Sequence, residues 1–439
     1  MEQILTYKQA MEYMESVSGR GSVLGLESIR MLCGKLGNPQ DALRFIHIAG
    51  TNGKGSTLAY ISAILKQAGY RVGRYISPTI FHYRERFQIQ EKAILAKEFC
   101  EILTVVKEKA DEMAAQGFPY PTAFEIETAV GFLYFKSKSC DVVLLETGMG
   151  GDMDATNVIS TAEVCVFASI SMDHMAILGK TLGEIAEKKA GIMKTGCKCV
   201  SVWQKEEAKN VLCNYAQTVG AELHFADENQ LSKVKYGLEK QKFSYGSYKN
   251  VEIRLAGVRQ IENAVLALET ILCLKRSGSY QITEAHIRKG FLAAKWRGRF
   301  EILSKRPYFI MDGAHNEDAA KGLAESVRFY FTNRKIIYIM GVLKDKEYEK
   351  ILAETYAYAE HIITITPNSE RALPAHDLAM AAKEYHPHIT EAASLEEAVE
   401  IAGLLAKKED VILAFGSLSF LGKLEQILKK QKEKKQKKR

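Results

Sequence analysis

His47-Ile48-Ala49-Gly50-Thr51-Asn52-Gly53-Lys54-Gly55-Ser56-Thr57 is the stretch whose reading decides the fold. The apolar run 45–49 enters it as a strand, and Leu58, Ile61, Ile64, Leu65 and Ala68 follow at helical spacing. Strand, glycine-rich loop and helix is the local order of a phosphate cradle. Glycines let the backbone N–H groups of Gly50, Thr51, Asn52, Gly53 and Gly55 converge on phosphate oxygens, and a helix starting near Ser56 aims its positive dipole end at the same place. Lys54 supplies a mobile positive charge. Ser56 or Thr57 offers a hydroxyl to the magnesium that accompanies a nucleoside triphosphate such as ATP. The spacing differs from the common P-loop, because two residues separate Gly50 from Gly53 and Gly55 intervenes between the lysine and the hydroxyls. The plainer alternative is a glycine-rich turn with a solvated lysine.

Downstream, residues 72–76 read as a second strand ending in Ser77-Pro78, where the proline forces a loop. Helical stretches over 96–115 and from Phe124 through Phe135 precede 141–146, a buried parallel-type strand that ends in Glu146 with Gly148, Gly150 and Gly151 just beyond. Ligands collect at such strand ends, so Glu146 is a candidate holder of a phosphate-bound metal, against the plainer reading of a loop cap. Residues 164–170 form another expected strand, leading to Asp173-His174. Beyond Trp296-Arg297-Gly298-Arg299, strands at 308–311, 335–340, 361–366 and 411–415 alternate with helical patterns. That alternation argues for a second, parallel Rossmann-like sheet. The expected architecture is α/β in two parts, 1–296 and 297–428, with a basic, disordered tail at 429–439.

The 439 residues, 47% apolar and 26% charged, suit a globular protein of two or three ordinary domains. The formal charge of +7 is not a property of the body of the chain. The last eleven residues hold eight basic groups and one Glu, which accounts for the whole excess. A nucleic-acid partner is therefore not expected. The eight cysteines are scattered, and the nearest pair, Cys197 and Cys199, lacks the spacing of a zinc site, so reduced core thiols are expected. Residues 1–16 lack the pattern of a signal peptide and no run of about 18 apolar residues occurs, which makes the cytoplasm the expected compartment and argues against a membrane-spanning helix; a solvated tail is expected over one that binds RNA or a membrane surface.

In its GTNGKGS form the loop resembles the ATP loop of the Mur ligase superfamily, in the branch of folylpolyglutamate synthases and dihydrofolate synthases. The resemblance extends along the chain. Gly148 to Asn157 is similar to GLGGRxDATN, Ile185 to Ile192 to IAxEKAGI, Arg259 to Ala264 to HQxxNA, Trp296 to Arg299 to WPGR, and Asp312 to Asn316 matches DGAHN. It implies a P-loop-containing, Mur-ligase-like ATPase domain followed by a smaller Rossmann-like C-terminal domain. It also implies site residues: two magnesium ions held through Ser56, Ser77, Glu146 and His174, with room for a monovalent cation, and a carbamate on Lys189. Phe124, Glu125, Asp154 and Asn157 would contact substrate, and Asn263 and Arg299 the nucleotide. Asp312 and His315 would face the nucleotide from the C-terminal domain and, with Lys54 and Lys189, make up the catalytic set. A carbamate turns an ammonium into an oxygen donor and needs a lysine that its surroundings deprotonate, an effect expected here from neighbouring Lys188. Several positions depart from the family pattern, among them Arg297, which stands where WPGR has proline. Thr79 replaces a histidine, Asp152 an arginine, Lys188 a glutamate and Arg259 a histidine.

From the residues alone, three chemistries fit a magnesium-dependent nucleotide site: hydrolysis coupled to motion, phosphoryl transfer to a hydroxyl, or activation of a carboxylate for amide formation. The resemblance implies the third, with folate or dihydropteroate as the carboxylate, L-glutamate as the amine, an acyl phosphate between them and a monomeric enzyme. A ligase acting on another carboxylate and amino acid, and a P-loop ATPase or binding module that makes no amide, remain as alternatives.

Overall fold

Phe45–Ala49 is β1, buried at every residue, and it lies inside an eight-stranded sheet. The computed structural model describes residues 3–19, 21 and 25–437. The sheet comprises β1, β2 (Val72–Tyr75), β3 (Phe87–Ile89), β4 (Lys92–Ala93), β5 (Val142–Glu146), β6 (Val164–Phe167), β7 (Lys198–Ser201) and β8 (Glu222–Phe225). Their order is β4-β3-β2-β5-β1-β6-β7-β8, parallel from β2 to β8, with β3 and β4 added antiparallel at one edge. The central strands are apolar on both faces because helices cover both, as parallel sheets require. Phe45, Val143 and Leu145 pack with the helices Ala96–Ala115 and Ala123–Ser137. Cys165 and Phe167 pack with Leu182–Ala190 and Glu206–Val219. Both helices anticipated between the second strand and Asp141 are present, Ala96–Ala115 at the expected bounds.

The strand register explains how distant motifs meet. Tyr75 pairs with Leu145, Ile48 with Glu146 and Ala49 with Phe167, so β2, β5, β1 and β6 end at one level. Ser77, Glu146, the loop from Gly50 and the segment leading to His174 therefore issue from the same edge of this sheet.

Residues up to Thr79, Tyr83–Leu231 and Glu262–Ala294 form this first unit; Ile80–His82, Ser232–Ile261 and the chain from Lys295 form a second. The expected division at 296/297 is corrected accordingly. Residues 232–261 carry a three-stranded sheet, β11-β10-β9, built from β9 (Leu231–Lys235), β10 (Gln241–Tyr245) and β11 (Tyr248–Ile253). Hydrogen bonds tie that segment to the second unit: Tyr330 Oη donates to Gln241 Oε1 and the Val258 N–H to Ser326 Oγ.

In the second unit β12 (Glu301–Lys305), β13 (Tyr308–Met311), β14 (Ile336–Met340), β15 (His361–Thr364), β16 (Ile389–Glu391) and β17 (Val411–Phe415) line up as β12-β13-β17-β14-β15-β16, parallel except for β12. This is the Rossmann-like sheet expected from the alternation. The disordered tail expected from residue 429 is corrected up to 437, because one helix runs Leu421–Lys437; residues 438 and 439 lie outside the described residues. Leu421, Leu424 and Ile427 anchor its first turns in the core, and Lys, Gln and Glu continue it as good helix formers. Truncation after Leu428 is expected to leave kcat and KM within about twofold of the intact chain, because it removes only surface-type residues. A large rise in KM on truncation would instead assign this helix a part in substrate capture.

Candidate active site

Gly53 caps the helix Lys54–Gln67 with φ +93°, and the helix begins at Lys54, two residues before the expected start. A side chain is excluded at Gly53 on two counts: its backbone is left-handed, and a Cβ would lie 2.3 Å from Asn263 Oδ1. Asn263, from the helix Gln260–Arg276, is thus set directly against the phosphate loop. The loop is also fastened to the chain beyond β6. The Thr51 N–H donates to Ser169 O (2.7 Å), Thr51 Oγ1 donates to Ser171 O (3.0 Å), and the Ser171 N–H donates to Thr51 Oγ1 (3.1 Å). These bonds place Asp173 and His174 next to the loop, with His174 in a left-handed conformation.

Two ammonium groups converge on one carbonyl. Lys54 Nζ donates to Gly50 O (3.1 Å) and Thr51 O (3.3 Å), and Lys189 Nζ donates to Gly50 O (3.0 Å). Lys189 lies near the end of the helix Leu182–Ala190 and is 4% exposed. Burial first, and Lys54 second, push its pKa down to about 7. The expectation that Lys188 is the neighbour responsible is corrected: Lys188 points elsewhere, its Nζ 3.0 Å from Asp152 Oδ2.

That ion pair accounts for two departures at once. Where the family pattern has arginine and glutamate, this chain has Asp152 and Lys188, which meet with the charges exchanged. Both side chains are about a third exposed or more, so the pair contributes roughly 0.2–1 kcal/mol. Asp152→Lys and Lys188→Asp are each expected to lower Tm and kcat/KM, whereas the double variant recovers most of the loss. Additive losses in that cycle would show that the charges act separately.

Metal-ligand candidates sit where the sheet register puts them. Glu146 is buried at the end of β5, Ser56 is buried in the first turn of the phosphate-loop helix, and Ser77 follows β2. Ser77 Oγ and Thr57 Oγ1 are buried with no hydrogen-bond partner among the described residues, a state that costs about 1–3 kcal/mol for each group unless something else satisfies it. A hard cation takes oxygen donors of this kind, hydroxyls and a carboxylate. The residues fit magnesium.

The residues assigned to substrate divide. Phe124 is half-buried against the core, its ring 5.9 Å from that of Tyr75 and so close to Gly148 that a Cβ there would come within 2.6 Å of Phe124 Cζ. Glu125 instead closes the helix Ala123–Ser137, accepting from the Thr122 N–H (2.7 Å) and Oγ1 (2.9 Å) in a capping box. Asp154 accepts from the Met149 and Thr156 N–H groups, which shapes the glycine turn after Glu146. Asn157 donates to Asp152 O and Gly191 O, joining that turn to the end of the Lys189 helix. These three carry structural bonds that residue type alone does not announce.

A buried group beside Phe124 escaped the sequence reading. Glu127 accepts from Tyr83 Oη (2.7 Å) and pairs with Arg86 Nε (3.2 Å), while the Arg86 guanidinium lies 6.0 Å from the Phe124 ring centre. The spacing of Phe124 and Glu127, three apart on one helix, was the available signal.

In the second unit, Asp312 directly follows β13 and accepts from the Phe300 N–H (2.7 Å) and the Ala314 N–H (2.8 Å). Burial raises its pKa while Arg299 opposes that rise. Arg299 packs on Gly313, and His315 Nδ1 is 2.7 Å from Gly313 O. Arg259 pairs with Glu325 at 3.8 Å across the face of the helix Glu317–Tyr330, an exposed contact in this unit.

A P-loop sheet followed by a Rossmann-like unit, with this lysine and carboxylate set, defines an ATP-dependent ligase of the Mur type. Residues 48–271 match the Mur ligase middle domain, and residues 298–418 match the Mur ligase glutamate ligase domain. The chain is 32% identical to the dihydrofolate synthase/folylpolyglutamate synthase of Bacillus subtilis over 96% of this chain and 99% of that one. It superposes on Mycobacterium tuberculosis folylpolyglutamate synthase complexed with ADP with a TM-score of 0.88 at 28% identity, covering 96% of this chain and 98% of that one. On E. coli FolC in complex with DHPP and ADP the TM-score is 0.86 at 27% identity, covering 98% and 100%. The chain belongs to the folylpolyglutamate synthase/dihydrofolate synthase family. Among the described residues, no helix is long and apolar enough to cross a membrane.

Proposed function

We propose that this enzyme couples ATP cleavage to amide formation between a folate-type carboxylate and the amine of L-glutamate. The observation that carries the reading is the convergence of Lys54 and Lys189 on Gly50 O, within a phosphate loop whose sheet edge also bears Ser77 and Glu146. Magnesium held through Ser56, Ser77, Glu146 and His174 supplies charge neutralisation at the phosphates when bound. The protein's own groups do the rest. Backbone N–H groups of the loop and the mobile Lys54 ammonium stabilise charge that develops on the γ-phosphate as the substrate carboxylate attacks it. The products of that step are ADP and an acyl phosphate, from which the amine of glutamate displaces phosphate.

Phe124 provides an apolar face for a planar ring, and Arg86, fixed by Glu127 and Tyr83, provides a positive charge at its edge. Asn263, Arg299 and Asp312 are assigned to the nucleotide, and His315 to catalysis in the second unit. Eight unpaired cysteines suit a reducing compartment, the cytoplasm.

The deciding experiment measures ADP release with MgATP and glutamate, adding either dihydropteroate or tetrahydrofolate. Release that needs both glutamate and a pterin carboxylate is the expected result, and the ratio of kcat/KM values tells which of the two is preferred. ADP release indifferent to glutamate would leave an ATPase and overturn the ligase reading. Glutamate-dependent turnover restricted to some other carboxylate would overturn the folate assignment alone.

A further inference from the structure

Three thiols that the ligase chemistry does not use come together on one face of the first sheet. Cys165 on β6 and Cys199 on β7 are register partners in a parallel pair, so their side chains emerge on the same face. Cys197, two residues before Cys199, shares that face. Its Sγ lies 3.3 Å from Cys199 Sγ and 3.9 Å from Cys165 Sγ, and all three sulfurs lie within 4.8 Å of one another. All three residues are buried.

We propose that Cys165, Cys197 and Cys199 form a binding site for one soft, thiophilic cation of the Cu(I) type, held by three thiolates. The geometry is close to what such a site needs. Three sulfurs placed about 2.3 Å from a central ion in a trigonal plane are roughly 4.0 Å apart. The separations from Cys197 Sγ, 3.3 and 3.9 Å, fall just short of that value, so small side-chain rotations on a fixed sheet suffice. Soft thiolates select Cu(I) over hard cations, and among the described residues no His, Asp or Glu joins the cluster to complete a tetrahedral Zn(II) shell.

A backbone N–H and an ammonium group lie beside the cluster. The Lys194 N–H donates to Cys197 Sγ (3.2 Å). The Lys194 ammonium, 2.7 Å from Asn157 Oδ1, supplies a compensating positive charge nearby. Binding releases the thiol protons to solvent and changes no oxidation state. The site also touches the ligase machinery indirectly. Cys165 Sγ donates to Ile192 O, three residues beyond Lys189, and Asn157 holds both Gly191 and Lys194.

The test uses the full chain, reduced and anaerobic, titrated with Cu(I) against a chromophoric Cu(I) chelator, with Zn(II) and Mg(II) titrated separately. One Cu(I) per chain taken from the chelator is expected, together with a thiolate-to-metal charge-transfer band and a raised Tm. Cys197→Ser should weaken that binding at least tenfold, while Cys213→Ser, at an exposed thiol outside the cluster, should leave it intact. X-ray absorption on the loaded wild-type chain provides a readout that needs no variant, and three sulfur neighbours are expected. A two-sulfur or nitrogen-containing shell overturns the proposal, as does binding unchanged by Cys197→Ser. Failure of the wild-type chain to compete for Cu(I), or formation of a Cys197–Cys199 disulfide as its only reaction, overturns it as well.

Discussion

Lys54→Ala is expected to lower kcat by roughly 10²–10³-fold, the range found when one positioned donor is removed from a site of developing charge. The lysine reaches no carboxylate that the structure shows. Its ammonium rests on Gly50 O and Thr51 O, two neutral acceptors of its own loop, and is free to exchange them for phosphate oxygens. A charge-assisted bond to phosphate is stronger than either. The loss should therefore fall on turnover, while Tm changes by no more than about 2–4 °C, the shift that 1 kcal/mol produces in a domain of this size. The measurement is glutamate-dependent ADP release at saturating substrates, set beside a thermal melt. Retention of more than about a tenth of the wild-type kcat, a loss below ~1.4 kcal/mol, would remove Lys54 from the catalytic set.

What could be read in the sequence was local. The phosphate loop, the β5 strand with Glu146 at its end and the strand before Asp312 each declare themselves in fewer than a dozen residues, through apolar runs followed by glycine or charge. What could not be read was contact between segments. Asp152 and Lys188 are 36 residues apart, and in the sequence they are two separate departures from the family pattern; only the fold shows that they meet. Cys165 and Cys197 are 32 apart, which hides a cluster that no short cysteine motif marks. Glu125, Asp154 and Asn157 have residue types that serve a substrate or a turn equally well, and hydrogen bonding to backbone neighbours shows how they serve the turn. The Leu421–Lys437 helix was missed for a different reason. Its composition suggested a frayed end, but the apolar residues that start it lie upstream of the charged run.

Lys189→Ala is the second large effect expected, a loss of at least tenfold in kcat, because a carbamate on this lysine would supply oxygen donors that alanine cannot. The structure provides the condition the modification needs. Burial and the nearby Lys54 bring the amine to a pKa of about 7, so near neutrality much of it is uncharged and able to add carbon dioxide. The activity of wild-type enzyme depleted of bicarbonate should fall, and bicarbonate should restore it, with the restored activity rising as pH passes upward through about 7. Stability gives an independent check. An unmodified Lys189 takes up its proton at about 7 in the folded chain and at its ordinary higher pKa when unfolded, so the unfolded state binds more protons between those values. The cost of the buried amine is absent above the unfolded pKa, grows as pH falls and is complete below about 7. Lys189→Met should therefore be more stable than bicarbonate-free wild type at pH 6, with the difference shrinking towards pH 10. Full activity in Lys189→Ala would exclude the carbamate, and so would indifference of wild-type turnover to bicarbonate across that pH range.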